Sequence, residues 1–324
     1  MEDKLSVTTA SIGLLAVGGK VLDALWELNV VLRNTTPLVN TTLQEAKQCR
    51  SSVHVLFKAI SLVESASLPL PERAAWIQAD DVIVTLADTV LAFSDLQAVC
   101  DGMGDDLLLS NNYDAIFQQY EPKLRNLCAR IRWHNLSMTM MMTILKCPGL
   151  ADAQNSRLSL EKRLTRLLSS NADLSARMQS LQDVFLNRGG PSDSLPDYLA
   201  AANTPRLLQR TPVLTGNRNR LWSTLSGYAL ADIPVLSIIP VPVAIAEVQD
   251  GRQFYTFDFA RRVSHDLGEL MKEDAGQGTS RILGAILGKP VPSGAPTPAN
   301  FAPARSTTPT TVVLPQARKK KRWR

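Results

Sequence analysis

Two neighbouring stretches of this sequence place apolar residues at alternating steps of three and four. Such a period puts one apolar stripe along a helix and is typical of helices that pack side by side. The first stripe is Phe117, Tyr120, Leu124, Leu127, Ile131, His134, Met138, Met141 and Leu145, and the second is Leu160, Leu164, Leu167, Asn171, Leu174, Met178, Leu181 and Phe185. Because the connector "KCPGLADAQ" is short, the two stretches predict a long antiparallel helical hairpin.

Each stripe contains one polar residue, and this pair is the first candidate site. When Leu145 is aligned with Leu160, His134 falls opposite Asn171. The sequence therefore predicts a buried polar layer in which the two side chains meet, which fixes the register of the hairpin at some cost in stability. The alternative is that either side chain turns outward to solvent.

The helical period also occurs before the hairpin. Three earlier segments, about 5–32, 37–66 and 72–100, repeat it, and the prolines of "SLPLPE" separate the second segment from the third. Proline removes a backbone donor and ends a helix. Residues 1–186 are therefore predicted to form an all-α domain, a helical bundle of about five helices.

The first helical segment raises the question of a membrane. Its uncharged run from Leu5 to Gly19 has fifteen residues, which is fewer than the ~20 apolar residues that span a bilayer. Glu2 and Asp3 differ from the basic start of a secretory signal. We therefore expect an intracellular chain, cytoplasmic or nuclear, that is not secreted and has no transmembrane helix. An amphipathic helix over residues 5–28 is expected to pack into the bundle, and the alternative is that it meets a membrane.

The composition changes after residue 186. Of the 19 prolines 14 lie beyond it, and so do 11 of the 17 glycines. These residues interrupt the periods that a core needs, so we expect a linker at 187–220 and a mostly disordered tail at 260–324. Residues 221–259 are apolar but rich in proline, which predicts an extended segment that docks on its own bundle or on a partner. Its candidate docking residues are Leu230, Ile233, Val235, Ile238, Ile239 and Val241.

Basic residues are concentrated at the C-terminus. The last seven residues carry six positive charges, at Arg318, Lys319, Lys320, Lys321, Arg322 and Arg324. A basic cluster on a tail without a core acts through electrostatics, and an import receptor is the favoured partner, ahead of nucleic acid and anionic lipid. A second basic run, "KLRNLCARIRWHN" at 123–135, is interpreted as a solvated helix face, with a phosphate site as the alternative.

The sequence lacks the signatures of enzymes and metal sites. It has no GxSxG elbow and no HExxH pair, and "GAILGK" at 284–289 lacks the spacing and the Ser or Thr of a phosphate-binding loop. The three histidines and four cysteines are scattered, without CxxC spacing. We therefore expect a chain that is not an enzyme, with no catalytic residue, no metal site and no cofactor.

Several stretches of this sequence resemble a known family. They are "LSVTTASIGLLAVGGKVLDALWEL", "AAWIQADDVIVTLADTVLAFSDLQAVCDGM", "LCARIRWHNLSMTMMMTILKC", "LEKRLTRLLSSNADLSARMQSLQ" and "LSGYALADIPVLSIIPVPV". Together they are similar to the fungal N-terminal domain family, which is found at the start of fungal STAND, or NACHT-type, signalling proteins and in the azaphilone pigment cluster protein L. The resemblance covers roughly residues 3–186 and 225–258. It implies a helical signalling or interaction domain, related in style to the bundles that execute fungal cell death, with no catalytic residues.

The leading hypothesis is therefore a non-enzymatic signalling or interaction protein of fungal type. It acts through association of its helical bundle with protein partners, self-association included. One alternative is a membrane-active, cell-death-like effector whose first helix inserts into lipid. A second alternative is a nuclear regulatory protein that the basic tail directs to the nucleus. Because no NTPase or repeat region follows the bundle, ATP-driven switching within this molecule is not expected.

Overall fold

Six long helices form the body of the molecule. The structure is a computed structural model, and it describes residues 4–32, 37–109, 112–187, 228–233 and 235–263. The prediction of an all-α bundle is confirmed. The helices are α1 (Val7–Val31), α2 (Pro37–Glu64), α3 (Ala79–Leu109), α4 (Tyr113–Lys146), α5 (Leu150–Ser170) and α6 (Ala172–Asn187).

These helices share one hydrophobic core. Helix α2 packs against both α1 and α4, and α3 packs against the same two helices from another side. Helix α5 packs mainly on α4, as the predicted hairpin requires. Helices α1 to α4 therefore form the centre of the core, and buried residues of α5 and α6 extend it on the side of the hairpin.

The first helix is buried more completely than the sequence predicted. Ser6 caps it, because the Ser6 hydroxyl accepts from the Thr9 backbone N–H at 3.1 Å. From Thr9 to Gly19 every residue is buried, and an exposed face begins only at Lys20. A helix that is apolar all round belongs inside a core. The predicted amphipathic helix is therefore correct only for the C-terminal half of α1.

The last predicted helix is divided in two. At Asn171 the backbone leaves the helical region, with φ −120° and ψ 90°, so α5 ends and α6 begins there. The Asn171 Oδ1 atom accepts from the backbone N–H of Leu174 at 3.0 Å, which caps α6. The break adds one helix to the predicted five.

Residues after 228 return to the bundle as a chain of short elements. Two strands pair antiparallel, β1 (Lys4–Ser6) with β2 (Pro240–Ala244), and Lys4 lies opposite Ala244. Both strands are edges of a two-stranded sheet, which is where proline is tolerated. The other elements are 3-10 turns at Leu230–Asp232 and Ile245–Glu247 and the short helices α7 (Gly251–Phe254) and α8 (257–263).

The segment 228–233 together with 235–263 is called the docked segment below. Residues 188–227, which hold most of the predicted linker, lie outside the described residues, and so do residues 264–324 with the basic cluster at 318–324.

One described helix, α3, is long and apolar enough to cross a membrane by length and composition alone. In the structure 83% of its most apolar window is buried inside the bundle. Within the described ranges there is thus no clear transmembrane span. The sequence analysis raised the membrane question for α1, whereas α3 is the helix that meets the compositional test.

Candidate functional site

The docked segment completes the N-terminus of α1. The backbone N–H of Val7 donates to the carbonyl of Ile239 at 2.9 Å, and the N–H of Thr8 donates to the carbonyl of Ser237 at 2.9 Å. The first N–H groups of a helix have no partner within the helix. The docked segment supplies these partners, so the first turn of α1 is capped by backbone from more than two hundred residues away.

The same segment also holds the chain just before α3. The N–H of Leu230 donates to the carbonyl of Ile77 at 2.9 Å, and the N–H of Ala79 donates to the carbonyl of Tyr228 at 3.1 Å. Ala79 is the first residue of α3. Two helix starts from different parts of the bundle are therefore satisfied by one returning segment.

The apolar anchors of this segment overlap with the predicted ones only in part. Leu230, Ile233 and Val241 are buried, whereas Val235, Ile238 and Ile239 are half-buried. Further buried anchors were not predicted, and they are Leu236, Val243, Val248 and Tyr255. Alternation along 239–243 is the signal that could have identified Val243, because Val241 and Val243 face the same side of a strand.

Asp250 is the main polar contact between the docked segment and the bundle. Its carboxylate pairs with the ammonium of Lys20 in α1 and accepts from Gln97 Nε2 in α3 at 2.8 Å. The hydrogen bonds from Lys20 and then Gln97 lower the pKa of Asp250 below its ordinary value. The Lys20 ammonium also lies over the ring of Phe254, 4.9 Å from its centroid. One lysine thus contacts the docked segment through both charge and ring.

Two further polar contacts lie along the segment. The Arg177 Nη1 of α6 contacts both carboxylate oxygens of Glu247, at 2.8 and 2.9 Å. The backbone N–H of Ser237 donates to Glu64 Oε1 at 2.6 Å, at the end of α2. The segment is therefore bound to α1, α2, α3 and α6 by polar contacts.

A second polar cluster, which was not predicted from the sequence, lies between α3 and α4. Asp88 is fully buried, and Arg130 reaches it with two nitrogens, with Nε 3.0 Å from Oδ2 and Nη2 on Oδ1. Arg130 also contacts the exposed Asp95 at 3.2 Å. The signal in the sequence is Asp88 itself, a single acid within the apolar run "VIVTLADTVLAF", because a buried charge requires a partner.

His134 completes the Asp88 cluster. Its Nε2 lies 2.7 Å from Asp88 Oδ2, and both side chains are buried. Burial raises the pKa of Asp88, but hydrogen bonds and charges from His134 and Arg130 outweigh burial and hold the pKa well below its ordinary value. The carboxylate is therefore stabilised in its charged form.

The predicted layer of His134 and Asn171 is wrong. His134 is buried and faces Asp88 of α3, whereas Asn171 caps α6. The reason is the register of the hairpin. Arg163 Nη2 donates to the carbonyl of Trp133 at 2.8 Å, and its guanidinium lies 3.8 Å from the Trp133 ring centroid. Position 163 therefore lies beside position 133, roughly two turns before Asn171.

The basic run at 123–135 is largely neutralised inside the chain. Arg125 pairs with Glu121, Arg130 with Asp88 and Asp95, and Arg132 with Glu45 at 2.6 Å. These contacts favour the interpretation of the run as a solvated helix face, and they disfavour the alternative of a phosphate site. Among the described residues no group of three or more His, Cys, Asp or Glu side chains is placed to hold a metal ion.

Comparisons with known proteins were made against family models, curated proteins and solved structures. None of the three found a match to this chain.

Proposed function

We propose that this chain is a non-enzymatic interaction protein that acts by association of its helical bundle, first of all with a second copy of itself. The observation that carries the proposal is an apolar strip at the C-terminal end of α1. Its members are Trp26, Val30 and Val31, with exposed fractions of 58%, 56% and 46%. Trp26 and Val30 are one turn apart on the exposed side of α1, and Val31 follows Val30 as the last residue of the helix.

The charges around this strip are complementary to one another. Asp23 and Glu27 are exposed on the same side of α1, and the Lys47 ammonium of α2 lies 6.0 Å from the Trp26 ring centroid. In a two-fold dimer the same patch is used by both copies. Lys47 of one copy then faces Asp23 and Glu27 of the other, while the two Trp26 rings supply the large apolar contact that interface centres favour.

The charged contacts between the elements support a structural role for the bundle. Asp88, Arg130 and His134 bind α3 to α4, and Asp250 binds the docked segment to α1 and α3. The resemblance to the fungal N-terminal domain family supports the same function, and membership of that family is part of the proposal.

Sedimentation velocity of the full chain over a range of concentrations tests self-association. We expect a dimer fraction that rises with concentration, and Val30→Glu abolishes it while the helical circular dichroism is unchanged. The matched control is Leu158→Glu on α5, because Leu158 is also 56% exposed. A chain that stays monomeric at every concentration, or an equal loss of dimer in Leu158→Glu, contradicts the proposal.

A second candidate is the membrane-active effector, and one observation favours it. The stretch Val7–Gly19 of α1 contains no charged residue, and a segment that is distant in sequence covers it. Dye release from phosphatidylserine vesicles by the full chain is the test. Release that disappears when residues 1–20 are removed supports insertion, and intact vesicles at high protein concentration contradict it.

For the tail at 318–324 we propose recognition by an import receptor, which makes the protein nuclear as well as cytoplasmic. Six positive charges in seven residues support this proposal. Replacing Lys319, Lys320 and Lys321 by Gln in a fluorescent fusion is expected to remove nuclear accumulation. An unchanged distribution contradicts the proposal.

A further inference from the structure

Three basic side chains follow one another at intervals of four residues along α2. They are Arg50, His54 and Lys58, called the basic stripe here. Side chains at this spacing are neighbours on one helix face, with about 5–6 Å between Cβ atoms. All three are half-buried. Arg50 marks their position, because its Nε donates to the carbonyl of Leu15 at 2.9 Å, so the stripe lies at the edge of the contact between α1 and α2.

Within the described part of the chain no acid forms an ion pair with the basic stripe. Neither His54 nor Lys58 forms an ion pair or a side-chain hydrogen bond there, and Arg50 bonds only to the Leu15 carbonyl. The neighbouring acids bind other residues or form no ion pair with the stripe. Glu45 pairs with Arg132, Glu64 accepts from Ser237, and the exposed Asp23 of α1 interacts with Arg50 only through its charge.

His54, at the centre of the stripe, lies close to the positive charges on either side of it. Burial first, and then the charges of Lys58 and Arg50, lower the pKa of His54, and no carboxylate counteracts them. Like charges at this spacing destabilise a helix. The protonated His54 ring is therefore disfavoured in the chain as it stands, and an anion at the centre of the stripe removes part of that penalty.

The free donors of the stripe match a phosphate group. Arg50 Nη2 is buried without a partner and Nε is used by Leu15, so Nη1, the His54 imidazole and the Lys58 ammonium are the groups left to meet a ligand. Long side chains one turn on either side of His54 can converge above it. Guanidinium and ammonium groups are the usual protein donors to phosphate oxygens.

We propose that Arg50, His54 and Lys58 form a binding site for a phosphate group at the edge of the contact between α1 and α2. Arg50 and Lys58 hold the group by charge-assisted hydrogen bonds, and the His54 ring donates a third hydrogen bond. Its source is either a free phosphate or the headgroup of a lipid, and both present the same oxygens to the stripe. None of the three residues belongs to the apolar strip, and the proposal does not rest on self-association.

The histidine ring protons give a direct measurement, since the chain has only three histidines and His54→Gln assigns the signal. The full chain is titrated with inorganic phosphate at constant ionic strength, with chloride as the reference anion. We expect a saturable shift of the His54 signal and a rise of its pKa by roughly half a unit to one unit on binding. Lys58→Gln is expected to weaken phosphate binding about tenfold.

Lys162→Gln is the matched control, because it removes the same charge from an exposed position on α5. A second arm uses vesicles of phosphatidic acid in phosphatidylcholine, with pure phosphatidylcholine as the reference. A His54 response to vesicles alone assigns the phosphate to a lipid headgroup, and a response to inorganic phosphate alone assigns it to a free ligand. The proposal is overturned if neither probe moves His54, or if Lys162→Gln weakens binding as much as Lys58→Gln.

Discussion

Gly13 of α1 lies directly against the ring of Tyr255 in the docked segment. A Cβ atom at position 13 would come within 2.2 Å of a ring carbon of Tyr255, which is far inside contact distance. Tyr255 is buried, and burial raises the pKa of its phenol above the ordinary value. The missing side chain at Gly13 is therefore what lets this large ring close over α1.

Gly13→Ala is expected to destabilise the folded chain by about 1–3 kcal/mol, because overpacking forces the ring or the helix to move. The shift of the urea midpoint measures this loss. Gly104→Ala is the matched control, since a Cβ at Gly104 in α3 meets nothing within 4 Å. That control should gain about 0.5–1 kcal/mol from helix propensity. Equal effects of the two substitutions would mean that the Tyr255 ring does not sit on α1.

Asp88→Asn is expected to cost about 2–4 kcal/mol, because it leaves Arg130 without its buried counter-charge and His134 without its carboxylate partner. Asp95→Asn removes the other carboxylate that Arg130 contacts, but Asp95 is exposed. That control should change the free energy of unfolding by no more than about 0.5 kcal/mol. Urea denaturation measures the free energy of unfolding of both variants. Similar losses in the two variants would mean that the Asp88 carboxylate does not provide the main stabilising charge.

The helical bundle could be predicted from the sequence, but the register of its hairpin could not. The bundle follows from periodicity, because a stripe at steps of three and four requires a helix and a partner surface. The register of the α4–α5 hairpin does not follow, because the repeat allows alignments that differ by whole turns. The register is set by the contacts of Arg163 with Trp133 and by the helix break at Asn171. Neither feature can be recognised from the spacing of apolar residues.

The docked segment shows the same limit at longer range. Its composition predicted an extended stretch that docks on its own bundle or on a partner, but only Pro240–Ala244 is a strand, and most of the rest forms turns and short helices. Its partner strand is only Lys4–Ser6, too short to carry a strand pattern of its own. Lys20 and Asp250 are 230 positions apart, so their pairing is created by the fold and cannot be read from either residue alone. It could thus be predicted that this segment docks, but not which surface it contacts.

Acid is expected to weaken the fold through Asp88. The contacts with His134 and Arg130 make the folded-state pKa of Asp88 lower than the unfolded value of about 3.9. Stability from Asp88 is therefore complete above that value and is lost as the pH falls toward the folded pKa. Urea midpoints measured from pH about 5 down to pH about 3 should fall more steeply for the wild type than for Asp88→Asn. Parallel curves would assign the acid sensitivity to other carboxylates.

Substitutions of two valines on α1 distinguish its core face from its proposed association surface. Val21 is fully buried, whereas Val30 is 56% exposed on the same helix. Val21→Glu buries an unpaired charge and is expected to cost more than about 4 kcal/mol, enough to unfold a marginally stable domain. Val30→Glu should change the free energy of unfolding by only about 0.5 kcal/mol. Thermal melts by circular dichroism compare the two variants. A folded Val21→Glu protein would contradict the central position of α1, and an unfolded Val30→Glu protein would show that the apolar strip belongs to the core.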